Sequence, residues 1–253
     1  MTSPLALQLY TVREAIAKTN FESIVRKVAE IGYAGVETGG SPGITPQAAG
    51  KLFEDLGLTV CSIHSFPIPN ESRKAEVLDT LGALDCKVAV SGGGPDDFKT
   101  IEATQATCEK LNAAAAMLKP YGIRLGVHNH WFEYLQIGEK YAYEYMLDFL
   151  SPDVFFQVDT YWVKTGGVDP AYVVQRLGGR APYLHIKDGP AIQKQPQVAV
   201  GEGALDIPAI IKAGAGHTEW LIVEMDGCAT DMLEAVKKSY QYLTGKGLGH
   251  GRK

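Results

Sequence analysis

Apolar residues occur along the chain in two alternating patterns. One is a short continuous run of four to six; the other is a longer stretch in which apolar positions recur every three or four residues. The junction between them repeats. It reads Ile31-Gly32-Tyr33-Ala34-Gly35-Val36-Glu37, then Leu56-Gly57-Leu58-Thr59-Val60-Cys61-Ser62-Ile63-His64, then Tyr121-Gly122-Ile123-Arg124-Leu125-Gly126-Val127-His128. A Gly just past a helix accepts the left-handed C-cap conformation without a Cβ clash. The apolar run that follows reads as a parallel strand buried on both faces. Thr19 with Glu22 predicts a capping box, and Thr45-Pro46 and Asp169-Pro170 each predict a cap followed by Pro at the first helical position. After Thr19, the helical spacing of Ile24, Val28 and Ile31 suits packing on a sheet. The pattern gives eight strands, near 5–10, 34–37, 58–64, 86–91, 123–129, 154–159, 182–187 and 220–225, with the longest helix over about 97–120. Eight βα alternations without a linker predict an α/β fold, a single (β/α)8 TIM barrel spanning 1–253, with 245–253 as a loose basic tail.

Composition narrows the class. The 253 residues are 45% hydrophobic and 21% charged, ordinary for a globular chain with a large core. A net charge of −5 argues against a nucleic-acid partner, and no apolar run approaches the ~20 residues of a membrane span. The N-terminal Met-Thr-Ser-Pro-Leu lacks a signal pattern. Cys61, Cys86, Cys108 and Cys228 form no Cys-x-x-Cys pair and are expected as free thiols, mostly buried. A cytoplasmic protein is expected, and homo-oligomerisation is left open.

The chemistry is expected where apolar strands end in polar groups, since such groups are costly to bury without a role. Strand 1 carries Gln8 and Tyr10, strand 2 ends at Glu37 and strand 3 at His64. Strand 5 ends His128-Asn129-His130, strand 6 Gln157-Val158-Asp159, strand 7 carries His185-Ile186-Lys187-Asp188, and strand 8 ends at Glu224. Period-2 alternation places His128, Asp159, His185 and Glu224 on inward faces of four successive strands. Two imidazoles and two carboxylates suit Mn²⁺, Zn²⁺, Co²⁺ or Fe²⁺ better than Ca²⁺ or Mg²⁺. Asp188, before Gly-Pro, reads as a turn residue. Ser91-Gly92-Gly93-Gly94 lacks the Lys-Ser/Thr of a phosphate loop and reads as a flexible turn, which argues against a phosphate group on the ligand.

Several stretches resemble the sugar phosphate isomerase/epimerase superfamily, the xylose isomerase-like barrels that include inosose dehydratases and endonuclease IV. They are Leu7-Gln8-Leu9-Tyr10-Thr11-Val12-Arg13, Val127-His128-Asn129-His130-Trp131-Phe132-Glu133, Gln157-Val158-Asp159-Thr160, His185-Ile186-Lys187-Asp188-Gly189 and Gly201-Glu202-Gly203. The resemblance implies a divalent metal held by a strand 5 carboxylate, Asp159, His185 and Glu224. Here His128 stands where epimerases have a metal-binding Glu, so a two-glutamate proton exchange is in doubt. The His-Asn-His-x-x-Glu form is closer to inosose dehydratases and enzymes of 3-keto sugars. Endonuclease IV members have a further His where this chain has Trp162, which argues against abasic-site cleavage.

The resemblance thus implies a metal-dependent enzyme that enolises a keto sugar or polyol through an enediolate. The leading expectation is an isomerase or epimerase of carbohydrate metabolism. The alternatives are an inosose or 3-keto-sugar dehydratase or lyase, and a non-catalytic sugar-binding barrel. Candidate bases are Glu224, Glu133 and His130, with Lys187 stabilising the enediolate oxygen. Gln8, Glu37 and His64 are expected to hold sugar hydroxyls, and Trp131, Tyr161 and Trp162 to offer faces for stacking.

Overall fold

A computed structural model describes residues 2–64 and 67–252. Eight parallel strands form the barrel: β1 Ser3–Gln8, β2 Gly35–Thr38, β3 Thr59–Ile63, β4 Val88–Ser91, β5 Arg124–His128, β6 Val154–Asp159, β7 Tyr183–Ile186 and β8 Trp220–Val223. The barrel closes by pairing β1 to β8 in the register Leu5↔Leu221, Ala6↔Ile222 and Leu7↔Val223. Each of the eight expected strands is present. The protein is a single (β/α)8 TIM barrel. Gly32, Gly57 and Gly122 all take positive φ, as their place after a helix or turn demands.

The helices wrap the outside: Phe21–Ile31, Pro46–Asp55, Lys74–Ala83, Ile101–Leu118, Ala142–Phe149, Pro170–Leu177, Ile207–Ala213 and Met232–Gly245 among them. Thr45 and Asp169 cap their helices as expected, accepting from Ala48 N–H and from Ala171 and Tyr172 N–H. The expected capping box at Thr19 is displaced by one residue. Asn20 is the cap, accepting from Ser23 N–H, while the Thr19 hydroxyl donates back to the Ala15 carbonyl and ends the preceding turn. Among the described residues, no helix is long and apolar enough to cross a membrane, and all four cysteines are free.

The C-terminal segment is docked, contrary to the loose tail its composition suggested. Gly249–His250 adds a short parallel strand to the start of β1, pairing Ser3↔Gly249 and Pro4↔His250. Arg252 then ties the end down: its guanidinium donates to the Leu56 and Ala29 carbonyls and its N–H to Gly32 O. These carbonyls lie at helix C-termini, where free acceptors and the negative end of the helix dipole favour a cation. Lys253 lies outside the described residues.

Asp188, just beyond β7, is fully buried, and its carboxylate accepts from four backbone N–H groups, those of Gly189, Gly201, Gly203 and Leu205. It is the turn residue expected, and it also fastens the Gly201-Glu202-Gly203 loop. A Cβ at Gly203 would overlap that carboxylate, which explains the small residue there. Asp188→Ala is expected to leave these donors unpaired and cost about 3 kcal/mol. Thermal unfolding should then fall by about 6–12 °C; an unchanged midpoint would show that the loop is held otherwise.

Candidate metal centre and catalytic cavity

At the carboxyl end of the strands, β5 to β8 deliver His128, Asp159, His185 and Glu224 to one point. One donor atom from each lies within 4.8 Å of the others, and all four residues are buried. The register explains the meeting, because Asp159 pairs directly with His185 and His128 with Gln157. His185 Nδ1 lies 2.7 Å from Glu224 Oε2, and His128 Nε2 is 3.8 Å from Asp159 Oδ2.

The faces of both imidazoles turned away from this point are bound. His128 Nδ1 meets Gln157 Oε1 at 2.9 Å, and His185 Nε2 meets Glu37 Oε1 at 2.9 Å. Gln157 in turn donates to Glu37, joining the two histidines through one buried bridge. Glu37 also accepts from Gln8 Nε2 at 2.5 Å and from the Ser62 hydroxyl. A one-residue register shift between Val36 and Glu37 sets Glu37 opposite Ser62. Bonding the outer ring nitrogen fixes tautomer and orientation, the usual support of a metal-binding His. Asn129 fixes the third donor's backbone, with its Oδ1 accepting from Asp159 N–H at 2.9 Å.

The charges are arranged around Lys187. Its buried ammonium lies 2.9 Å from Asp159 Oδ2, 2.8 Å from Glu224 Oε2 and 2.8 Å from Asp226 Oδ2. Burial works against its charge, but the three carboxylates hold it well above the ordinary lysine value. Burial likewise opposes ionisation of Glu224, yet Lys187 and His185 keep its carboxyl well below the usual range. Burial, and then the neighbouring imidazoles of His64, His185 and His130, push His128 well below the ordinary histidine value, so it stays neutral and able to ligate.

These residues fit a divalent ion. Asp159 Oδ2 faces the centre in ionic contact with Lys187 but accepts no aligned hydrogen bond, leaving a buried carboxylate oxygen without full satisfaction. The donor set of two nitrogens and two carboxylates matches Zn²⁺, Mn²⁺, Co²⁺ or Fe²⁺.

Above the centre opens a cavity of about 310 Å³, walled among others by Gln8, His64, His128, His130, Trp162 and Lys187. Tyr10, Glu224 and Asp226 complete its sides. His64 is 24% exposed and packs its ring 4.6 Å from that of His128. Trp162 presents its ring 5.5 Å from the Lys187 ammonium. His130, 38% exposed, stacks on Phe132. Behind it Glu133 is fully buried and accepts from His130 N–H at 2.8 Å. His130 Nδ1 and Glu133 Oε1 face one another at 3.8 Å, and neither has a hydrogen-bond partner.

Three sequence expectations are corrected by position. Glu37 does not reach sugar hydroxyls, because it lies wholly buried beneath the cavity with its oxygens consumed by four side chains. Trp131 is absent from the cavity wall and packs edge-on against Phe132. Glu133 lies fully buried behind His130 and is not among the residues of the cavity wall. Asp226 and Gln157 were not singled out. Asp226 shares strand parity with Glu224, but only the position of Lys187 shows its use. Gln157 shares a face with Asp159, but its bridging role depends on contacts with β2.

The chain thus combines a closed βα barrel with a four-donor group at its strand ends that could hold a metal ion. The chain belongs to the xylose isomerase-like TIM barrel family, whose model matches residues 25–244. It is a family of enzymes. The chain is 23% identical over 248 residues to the inosose dehydratase of Geobacillus kaustophilus, covering 81% of this chain and 80% of that protein. A crystal structure of a sugar phosphate isomerase/epimerase from Parabacteroides distasonis superposes with a TM-score of 0.84 at 23% identity, covering 98% of this chain and 96% of the other. The IolI protein, solved with a bound zinc atom, superposes with a TM-score of 0.75 at 15% identity, covering 97% and 98%.

Proposed function

We propose that the protein is a metal-dependent lyase of the dehydratase type, acting on a cyclic keto polyol such as an inosose or a 3-keto sugar. The observation that carries this reading is the asymmetry of the centre. His128 occupies the place of a second glutamate, and Glu224 is engaged by both His185 and Lys187. Among the described residues the carboxylates on the cavity wall are Glu224 and Asp226, which both follow β8 and both pair with Lys187, rather than facing each other across a substrate. The likeness to an inosose dehydratase supports the same choice over isomerisation or epimerisation.

A divalent ion held by His128, Asp159, His185 and Glu224 would supply Lewis-acid polarisation of the substrate carbonyl. His130 is the base, placed at the cavity wall with the Glu133 carboxylate 3.8 Å behind its Nδ1 to stabilise the charged form of the ring. Burial opposes a proton on His130, but Glu133 raises its affinity for one above the ordinary histidine value. His130 takes the proton next to the carbonyl, and the C–H electrons form the enediolate, whose oxygen charge Lys187 balances. The electron pair then returns to form a C=C bond as the adjacent C–O bond breaks. The departing oxygen keeps the pair of the broken C–O bond and takes the proton back from His130. A keto polyol thus becomes an enone plus water or an alcohol, with no other reactant consumed. Gln8 and His64 hold hydroxyls, and Trp162 lies against the ring.

The test is to incubate the zinc- or manganese-loaded protein with inososes and 3-keto glycosides, following enone absorbance and released alcohol. Enone formation that falls by about 10²-fold or more in His130→Ala is expected. Sugar interconversion with deuterium uptake from solvent and no departing group would establish the isomerase or epimerase reading instead.

A further inference from the structure

The geometry points to an aromatic departing group, seated in an apolar cleft beside the catalytic cavity; this rests on the elimination reading above. The cleft measures about 110 Å³, and Leu9, Tyr10, Arg13, Ile16, Gly39 and Pro42 are among its walls. Tyr10 and Gly39 wall the catalytic cavity as well, so the two spaces share one rim. A substrate whose ring fills the first space therefore directs a substituent toward the second. The size is of the order of the ~150 Å³ cavity that accepts one benzene ring. Tyr10 is 50% exposed, an aromatic face left open at this junction.

The wall of the cleft is apolar apart from Arg13, and two of the five Arg13 donors are engaged in building that wall. Arg13 Nη1 donates to the Tyr10 carbonyl at 2.8 Å and its Nη2 to the Asp226 carbonyl at 2.6 Å. Its guanidinium carbon lies 3.9 Å from the centre of the Tyr10 ring. Arg13 thus braces Tyr10 against the loop after β8 and forms part of the wall. The Tyr10 N–H is taken by Gln8 Oε1 at 3.1 Å, which fixes the wall from the other side. An aromatic alcohol also leaves more readily than an alkyl one, because its oxygen carries negative charge more easily, so the cleft and the elimination select the same substrate.

Binding tests this without turnover. Affinities of the metal-loaded protein for phenyl and methyl β-glucoside, neither oxidised, are measured by titration calorimetry or saturation-transfer NMR. Burial of one ring should make phenyl glucoside bind about 10-fold more tightly. Pro42→Glu, on an exposed turn, sets a charge at the cleft and should cut the preference to about 2-fold or less. Equal binding of the two glucosides, or a phenyl preference that survives Pro42→Glu, would overturn the inference. So would a sugar phosphate that binds more tightly than phenyl glucoside and loses its advantage in Arg13→Ala. The enone assay reads the other proposal separately: elimination from inososes with no phenyl preference sinks the cleft alone, whereas a phenyl preference without any enone sinks the lyase reading and, with it, the role of the aromatic as a departing group.

Discussion

Asp159→Ala is expected to empty the metal centre and to lower kcat/KM by at least about 10³-fold, since Lewis-acid activation is worth several kcal/mol and each 1.36 kcal/mol is tenfold in rate. The residue is fully buried, pairs in register with His185 and turns one oxygen toward the other three donors. Its loss removes a quarter of the donor set and leaves Lys187 with only Glu224 and Asp226 as partners. Metal analysis after dialysis checks the first part and turnover the second; full occupancy in the variant would show that the ion is held elsewhere.

Metal uptake should also depend steeply on pH, for a reason visible in the same residues. Burial disfavours a charged His185, but the carboxylates of Glu37 and Glu224 overcome it and raise its pKa to about 10. At neutral pH the metal-free ring is therefore protonated at both nitrogens, Nδ1 toward Glu224 and Nε2 toward Glu37. Ligation through Nδ1 must expel that proton, so affinity should rise about tenfold per pH unit below pH 10 as far as His185 alone governs it. Competition with a chelator between about pH 6.5 and 8.5 measures the slope. A flat profile would mean that His185 is already neutral before the metal arrives.

The barrel was legible in the sequence because its signals are local. Gly32, Gly57 and Gly122 mark turns whose backbone only glycine adopts cheaply, and the apolar runs after them fit strands buried on both faces. The four inward donors were legible for the same reason, since alternation along a strand is fixed by the pleat. Relations across the barrel were not legible. Glu37 at a strand end looks like a hydroxyl binder until the register shift in β2 carries it under His185 and Gln157. The C-terminal segment looks loose by composition, yet Ser3 and Pro4 leave it an open strand edge and two helix ends offer three carbonyls to Arg252. In both cases the deciding partner lies more than twenty residues away, beyond the reach of any periodicity.

Glu37 carries the second large effect. It is wholly buried and joins Gln8, Ser62, Gln157 and His185, so one carboxylate holds β1, β2, β3, β6 and β7 together below the metal centre. Glu37→Ala would leave a buried imidazolium and two amides without their acceptor, at a cost of about 3–5 kcal/mol. Glu37→Gln keeps the volume but places an amide where His185 Nε2 and Gln157 Nε2 both donate. The His185 ring should then lose its fixed orientation and metal affinity should fall about 10–100-fold, with a smaller loss of stability. The acid limb of the stability curve separates the charge from the shape. Burial alone would raise the Glu37 carboxyl, but His185 outweighs it and holds it below the ordinary 4.5. Its contribution is therefore complete above about pH 4.5 and is lost as pH falls through the lower folded value. Denaturant titrations of the metal-free protein should show this limb in the wild type and a flatter one in Glu37→Gln. Identical limbs in the two proteins would mean that the buried carboxylate is not ionised, and that the bridge between the two histidines is held by shape alone.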